Sequence, residues 1–138
     1  MKTNVTVSAA FARVAAIMRR QAWDGAVKLG ITPTQGEVLV FLLEQGQAQR
    51  LGAIVEAMRL TSPTLSEAVK VLVGKGLLKK QRDREDARAI ALSLTARGRA
   101  AARRATAWHA ELDRITLLLG VREREALNKG LSALLTRI

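Results

Sequence analysis

The sequence contains no cysteine, and its 138 residues include a single histidine, His109. Without thiols the chain can form no disulfide, carry no thiolate nucleophile and hold no cysteine-ligated metal. One histidine leaves only a carboxylate-rich metal site, and the acidic residues do not cluster at ligand spacing. We therefore expect no metal and no other cofactor.

Aromatic residues are scarce, because the chain has two Phe, two Trp and no Tyr. Proteins that bind single-stranded nucleic acid stack bases on several aromatic rings, which this chain cannot supply. Its net charge is nevertheless +11, from 23 Lys and Arg against 12 Asp and Glu. Such a surplus favours a polyanionic partner. The two observations together indicate duplex DNA.

Long hydrophobic runs are also missing. No apolar run approaches the roughly 20 residues that a membrane span needs. The opening stretch, MKTNVTVSAAFARV, lacks the apolar core of a signal peptide. We expect a cytoplasmic protein, associated with the nucleoid, that has no membrane partner.

The length is that of one ordinary domain, and its first half predicts two helices. Apolar residues recur at helical spacing from Phe11, and Gly30 stands where a left-handed cap belongs. Thr32 and Gln35 form a capping-box pattern for a second helix over 33–44, with Pro33 at its first position.

A helix-turn-helix pattern follows. Residues 51–58 predict a short third helix and 59–61 a tight connection. Ser62 suits the N-cap of a fourth helix, whose buried stripe Leu65, Val69 and Leu72 continues to a stop at Gly76. Two short helices joined by about three residues are typical of this DNA-binding motif.

The period then changes from helical to alternating. Residues 77–82 and 87–94 predict a hairpin with one buried face, formed in its second strand by Ile90, Leu92 and Leu94. Thr95 can cap a long fifth helix to about Leu119, and a sixth helix follows. The predicted fold is mainly α with a small β-hairpin wing, a winged helix-turn-helix flanked by N- and C-terminal helices.

Positive charge concentrates on this motif. Residues 70–88 contain seven basic residues against three acidic ones. A run of charge alone is usually a solvated surface, but here it follows a helix-turn-helix into a hairpin. This coupling favours a DNA interface.

The stretch GLLKKQRDREDARAIALSLTARGRA, residues 76–100, resembles the wing of the MarR family of bacterial transcription regulators. That family's pattern is roughly G-L-[IV], basic residues, D-x-x-D-x-R, an alternating strand and L-T-x-x-G. The resemblance implies one unit over 1–138, with a winged-helix DNA-binding lobe at 31–98 and dimerisation helices at 1–30 and 99–138. Two departures occur in the helix-turn-helix, where Arg59 replaces a frequent Gly and Val55 a frequent Ala.

The resemblance also assigns DNA-contacting residues. On the recognition helix, the major-groove candidates are Ser62, Pro63, Thr64, Ser66, Glu67 and Lys70. On the wing, the candidates are Lys79, Lys80, Arg82, Arg84, Asp86 and Arg88. With Leu65 and Val69 turned inward, helix phase places the first group outward.

Two acidic candidates need separate interpretations. Glu67 either accepts a hydrogen bond from a cytosine, repels phosphate, or pairs with Lys70 or a wing arginine; we favour the pairing. In relatives the Asp-x-Arg of the wing acts as a unit. Asp86 is accordingly expected to hold the Arg88 side chain for the minor groove, the alternative being that the two only stabilise the hairpin.

Helices one, five and six carry apolar stripes with no partner in a small winged domain. We expect them to form a homodimer, which predicts a pseudo-palindromic site with half-sites about one DNA turn apart. The alternative is that these helices fold back onto their own lobe.

Relatives commonly bind small aromatic or phenolic effectors between the dimer helices and the DNA-binding lobes. Candidate ligand residues here are Met18, Trp23, Trp108 and His109, whose alternative role is plain core or interface. The absence of cysteine excludes the family's thiol-based oxidant sensing.

Three functions compete. The first is a dimeric, ligand-responsive, sequence-specific regulator, expected to act as a repressor. The second is a sequence-neutral DNA-coating or architectural protein. The third, a small enzyme, lacks a nucleophile and base pair, a phosphate loop and a metal set, so His109 would carry its acid–base chemistry. We expect no enzymatic activity.

Overall fold

The computed structural model describes residues 5–138, and residues 1–4 of the predicted N-terminal dimerisation segment lie outside it. Contacts divide the chain after Trp108 into two units. The first unit contains α1 (Val7–Leu29), α2 (Pro33–Gln45), β1 (Gln49–Arg50), α3 (Leu51–Met58), α4 (Ser62–Gly74), β2 (Leu78–Arg82), β3 (Ile90–Leu94) and α5 (Ala96–Thr106). The second contains α6 (Ala110–Thr116) and α7 (Val121–Leu135).

The first two helices begin and end as the sequence predicts. Gly30 ends α1 with φ 67°, donating its N–H to the last carbonyls of the helix. At the start of α2, the Thr32 hydroxyl accepts from Gln35 N–H and the Gln35 side chain accepts from Thr32 N–H. The capping box is thus confirmed.

The helix-turn-helix is formed by α3 and α4, and α4 begins one residue earlier than predicted. The N-cap of α4 is Thr61, whose hydroxyl accepts from Thr64 N–H, so Ser62 is already helical. Arg59, where relatives often have Gly, takes the left-handed conformation at φ 52° and is the one non-glycine residue with positive φ in the described range. The turn therefore keeps its geometry at the cost of local backbone strain.

The wing is part of a three-stranded antiparallel sheet of order β1-β3-β2. The two-residue strand β1 was not predicted, because it is too short to show an alternation of apolar and polar residues. The predicted single buried face of β3 is wrong, since Ile90 is 54% exposed while Ala91 is buried. As the central strand, β3 has neighbours on both sides, and Arg50 and Gln81 flank Ala91 on the face opposite Leu92.

The core of the first unit lies between α2, α4, α5 and the sheet. Its fully buried side chains include Leu39, Ile54, Leu65, Leu72 and Leu92. This core anchors the inner face of α4 and so orients its outer face.

The predicted long fifth helix is wrong, because α5 ends at Thr106 and α6 begins at Ala110. The last turn of α5 tightens through bonds from Ala107 to Arg104 and from Trp108 to Ala105. Trp108 is then held between α1 and α2, which fixes where the helix stops. The alanine face of α5 is buried within the first unit, so this part of the helix packs on its own lobe.

The second unit, all of which is described, has no fully buried residue. The carboxylate of Glu123 accepts from Gly120 N–H at the start of α7, so Gly120 is the N-cap. The exposed apolar residues of this second unit include Leu117, Leu118, Leu127, Leu134, Leu135 and Ile138.

Over residues 5–138, no single helix is long and apolar enough to cross a membrane; α1 and α2 meet that criterion only as a pair bent by 86°.

Candidate nucleic-acid interface

The outer face of α4 carries all six predicted major-groove residues, and every one is exposed. They are Ser62, Pro63, Thr64, Ser66, Glu67 and Lys70. The opposite face is buried through Leu65, Ala68, Val69 and Leu72. Short polar side chains therefore line the first turns of the helix, and one cation follows them.

Thr64 already has a local partner. Its hydroxyl lies 2.7 Å from the Thr61 hydroxyl, and its N–H donates to the same oxygen. The cap consumes part of its hydrogen-bonding capacity and leaves its methyl group available for an apolar contact.

The prediction that Glu67 pairs with Lys70 or a wing arginine is wrong. Within residues 5–138, no basic group lies within 4 Å of its carboxylate. Glu67 is exposed on the helix. The two remaining interpretations are that Glu67 accepts a hydrogen bond from a base or that it repels phosphate.

The wing presents cations without partners. Its five predicted basic residues are exposed: Lys79, Lys80, Arg82, Arg84 and Arg88. None forms an ion pair within the described part of the chain. An unpaired surface cation keeps its full attraction for phosphate, because no carboxylate has to be displaced first.

The wing turn is organised by Asp83, which sequence reasoning did not single out. One oxygen of its carboxylate, Oδ2, accepts from the Arg50 guanidinium at 2.6 Å and from the N–H groups of Glu85 and Asp86, each at 3.1 Å. The hydrogen bond to Arg50 lowers the pKa of Asp83 to about 2. Asp83 is the first Asp of the D-x-x-D-x-R pattern, but its partner lies 33 residues earlier.

Asp86 acts differently from the expectation. Its carboxylate accepts from the Arg88 backbone N–H at 3.0 Å, and no ion pair joins it to the Arg88 guanidinium. The turn geometry brings the amide closer than the flexible side chain. Asp86 thus orients Arg88 through its backbone and leaves the guanidinium unpaired.

The four ligand candidates are divided between the two units. Trp108 is half-buried and packs against the core. Its indole fills a slot between Gly25 of α1 and Gly36 of α2, since a Cβ built on either glycine would overlap the ring. Met18 is half-buried and Trp23 is 53% exposed on α1, while His109 opens the second unit.

A shallow cavity of about 630 Å³ lies at the base of the wing. One side is formed by the segment from Gly46 to Ala53, and the other by Gln81 and the turn residues 83–85. Its wall includes both partners of the Arg50–Asp83 ion pair. The ion pair links the two sides of the cavity.

The helix-turn-helix, the basic hairpin and the small sheet define a winged-helix protein. The sequence pattern of the MarR family matches residues 29–89, and solved structures of its members match nearly the whole chain. The chain is thus a winged-helix protein whose residues 29–89 match the MarR family, the family that the wing residues predicted.

Three solved structures show the extent of this similarity. MepR of S. aureus in complex with DNA is 25% identical over 98% of this chain and 100% of its own, with TM-score 0.80. The transcriptional repressor CouR, bound to a 23-mer DNA duplex, is 27% identical over 94% and 92%, with TM-score 0.76. MarR of E. coli, 18% identical over 97% and 99% with TM-score 0.76, shares the fold. No curated protein sequence matches the chain.

Members of this family are DNA-binding transcription regulators and not enzymes. The expectation that the chain has no enzymatic role is therefore confirmed.

Proposed function

We propose that this DNA-binding transcription regulator is a homodimeric repressor that binds a pseudo-palindromic operator and releases it when a small aromatic or phenolic molecule binds. The α4 face enters the major groove, and the wing arginines reach the adjacent minor groove. Its place is the cytoplasm, on nucleoid DNA.

The observation that carries the proposal is the unpaired state of the wing cations beside an exposed, polar recognition face. Five exposed basic side chains without ion pairs extend from the same lobe as α4. Two DNA-bound relatives of similar fold, MepR and CouR, support the same use of this surface.

Exposed apolar residues support the homodimer. Val7, Phe11, Val14 and Ile17 are 38–69% exposed on α1. The 30 residues of the second unit bury none of their leucines fully. Such faces cost free energy in water and are satisfied by a second copy of the same chain.

Specificity is tested by competition. Duplexes selected by the protein from a random pool are labelled, and fluorescence anisotropy follows their displacement by unlabelled DNA. We expect the selected site to resist a large excess of random duplex and to contain two related half-sites. Equal displacement by random DNA would contradict a sequence-specific regulator and support a sequence-neutral coating protein, the role that an unpaired Glu67 on the recognition face would suit.

Release is tested in the same assay with phenol and benzoate as probes. A ligand weakens DNA binding only if it favours the conformation with lower DNA affinity. We expect at least one probe to lower the affinity for the selected site at constant salt. An unchanged affinity with both would contradict release by small aromatic molecules.

A further inference from the structure

Arg50 stands at the junction between the sheet and the helix-turn-helix. It is the last residue of β1 and the N-cap residue of α3, where its side chain makes no capping bond. The guanidinium instead extends to Asp83, which directly follows β2 at the start of the wing turn. The ion pair therefore adds a side-chain link from the start of α3 to the wing turn, beside the backbone pairing of Arg50 with Ala91 in β3.

The same Asp83 carboxylate sets the shape of the turn. By accepting from the N–H groups of Glu85 and Asp86, it fixes the segment that carries Arg84. Asp86 then accepts from Arg88 N–H. The two cations nearest the wing tip are thus placed by a chain of bonds that begins at Arg50.

Side-chain packing beside this link is incomplete. The cavity at the base of the wing separates the segment that leads into α3 from the turn residues. Arg50 is 44% exposed and Asp83 19% exposed at the edge of that gap. Loss of the ion pair would leave the backbone pairing of β1 with β3 at the base of the wing, but would remove the side-chain link to the turn itself.

We propose that Arg50 and Asp83 are positioning residues that clamp the wing to the helix-turn-helix, so that both DNA-contacting elements bind as one preorganised unit. This inference rests on the proposed DNA-binding function. Preorganisation raises affinity because the ordering of the wing is complete before DNA arrives.

Electrostatics alone makes the opposite prediction for one partner. Asp83 is a negative charge on a surface that would meet phosphates, so its neutralisation should strengthen DNA binding. The clamp predicts that neutralisation weakens binding. The sign of the change separates the two explanations.

The decisive comparison is Asp83→Asn against Glu85→Gln. Both remove one negative charge from the wing turn, but Glu85 is 92% exposed, lies 4.0 Å from Arg50 and makes no side-chain hydrogen bond. We expect Asp83→Asn to weaken binding to the selected duplex roughly tenfold, and Glu85→Gln to leave it unchanged or slightly stronger. Binding by Asp83→Asn as tight as wild type, or tighter, would overturn the clamp.

The Arg50 variants test whether this residue itself contacts phosphate. Arg50→Gln should weaken binding with little change in the dependence of affinity on salt, because no phosphate contact is lost; a direct contact would lower the salt slope by about one unit per half-site. Arg50→Lys retains a cation for Asp83 and should recover part of the affinity. The double variant Arg50→Gln/Asp83→Asn should be little weaker than either single variant. Additive losses, or a lower salt slope, would overturn the clamp.

Two controls test whether a loss of DNA affinity in these variants comes from loss of the clamp or from unfolding. Thermal unfolding should show that every variant is still folded at the temperature of the binding assay, because an exposed ion pair contributes only a small part of the stability. Without DNA, amide exchange at Glu85 and Asp86 should be faster in Arg50→Gln than in wild type, and equal exchange would also overturn the clamp. Failure of the wild-type chain to bind any duplex would instead overturn the proposed function, and with it the clamp's role in DNA binding.

Discussion

At the residue scale, the acidic and basic residues of the wing have different roles. The carboxylates of Asp83 and Asp86 accept hydrogen bonds from the wing's own backbone. The basic residues around them make no ion pairs in the described chain. Local acids therefore shape the turn, and the cations remain available to an external anion.

Arg88→Ala tests the minor-groove assignment. Because the guanidinium has no partner in the protein, we expect its removal to weaken DNA binding roughly 5- to 150-fold with no loss of stability. Anisotropy titrations at fixed salt measure the change. Arg103→Ala, which removes an equal charge from an exposed position on α5, is the matched control; equal effects of the two would sink the wing assignment.

Lys70→Ala tests the far end of the recognition face. Lys70 is exposed and unpaired, so we expect a phosphate contact whose loss flattens the salt dependence of affinity by about one unit per half-site. The measurement is affinity over a range of salt concentrations. A slope equal to that of the wild type would show that Lys70 makes no such contact.

Asp83 gives a prediction in pH. Its pKa falls from 3.8 to about 2 in the folded protein, so the unfolded chain binds more protons between these values. The stabilising effect of the ionised carboxylate is complete above the unfolded pKa and is lost as pH falls toward 2. The urea midpoints of wild type and Asp83→Asn should therefore differ by a constant amount above about pH 5 and converge below 3.8. A gap as large at pH 2 as at pH 5 would contradict this.

At the scale of elements, the clearest packing device is the slot for Trp108. Gly25 and Gly36 let α1 and α2 contact the indole from two sides, in positions where any side chain would overlap it. The residue after α5 thereby becomes part of the core of the first unit. The same contact accounts for the end of α5, which the helical period alone would continue.

Gly36→Ala tests the slot. We expect a loss of about 1–3 kcal/mol in the free energy of unfolding, because the new methyl group overlaps the indole. In a Trp108→Leu background the loss should be smaller, since the obstructing ring is absent. Urea titrations measure both. Gly74→Ala, at a helical glycine with open space around it, should instead be neutral or stabilising, and an equal cost of Gly36→Ala in both backgrounds would refute the slot.

At the scale of the whole molecule, apolar surface points to a second copy of the chain. The first unit has its own core, whereas residues 109–138 bury no side chain fully. We expect a segment this apolar to gain stability from the proposed association with a second copy. The predicted boundaries of the lobe and the dimerisation helices at residues 30 and 98 stay predictions.

Light scattering should give twice the chain mass of 15.0 kDa at micromolar concentration. Phe11→Glu should shift the protein toward the monomer, because it places a charge on the exposed apolar face of α1. Ala12→Glu, one position along on the same helix, is the control for the added charge. A wild-type mass of one chain would rule out the homodimer.

Local sequence patterns were sufficient for much of the fold and of the interface. The capping box at Thr32, the αL cap at Gly30 and the inward stripe of α4 depend on neighbours within a few residues. The outward position of the recognition residues follows from that stripe by helix geometry. The basic surplus, likewise, is a property of composition.

The tertiary structure alone decided which long-range partners each residue meets. Arg50 and Asp83 are 33 residues apart, the Trp108 slot joins three helices, and β3 acquires a second neighbour from a strand of two residues. None of these contacts leaves a periodic pattern in the local sequence, because each depends on where distant segments meet in space. Composition could exclude base stacking, for lack of aromatic residues, and thiol chemistry, for lack of cysteine. It could not show that Trp108 belongs to the core or that the Asp83 carboxylate holds the wing turn, because both depend on long-range contacts.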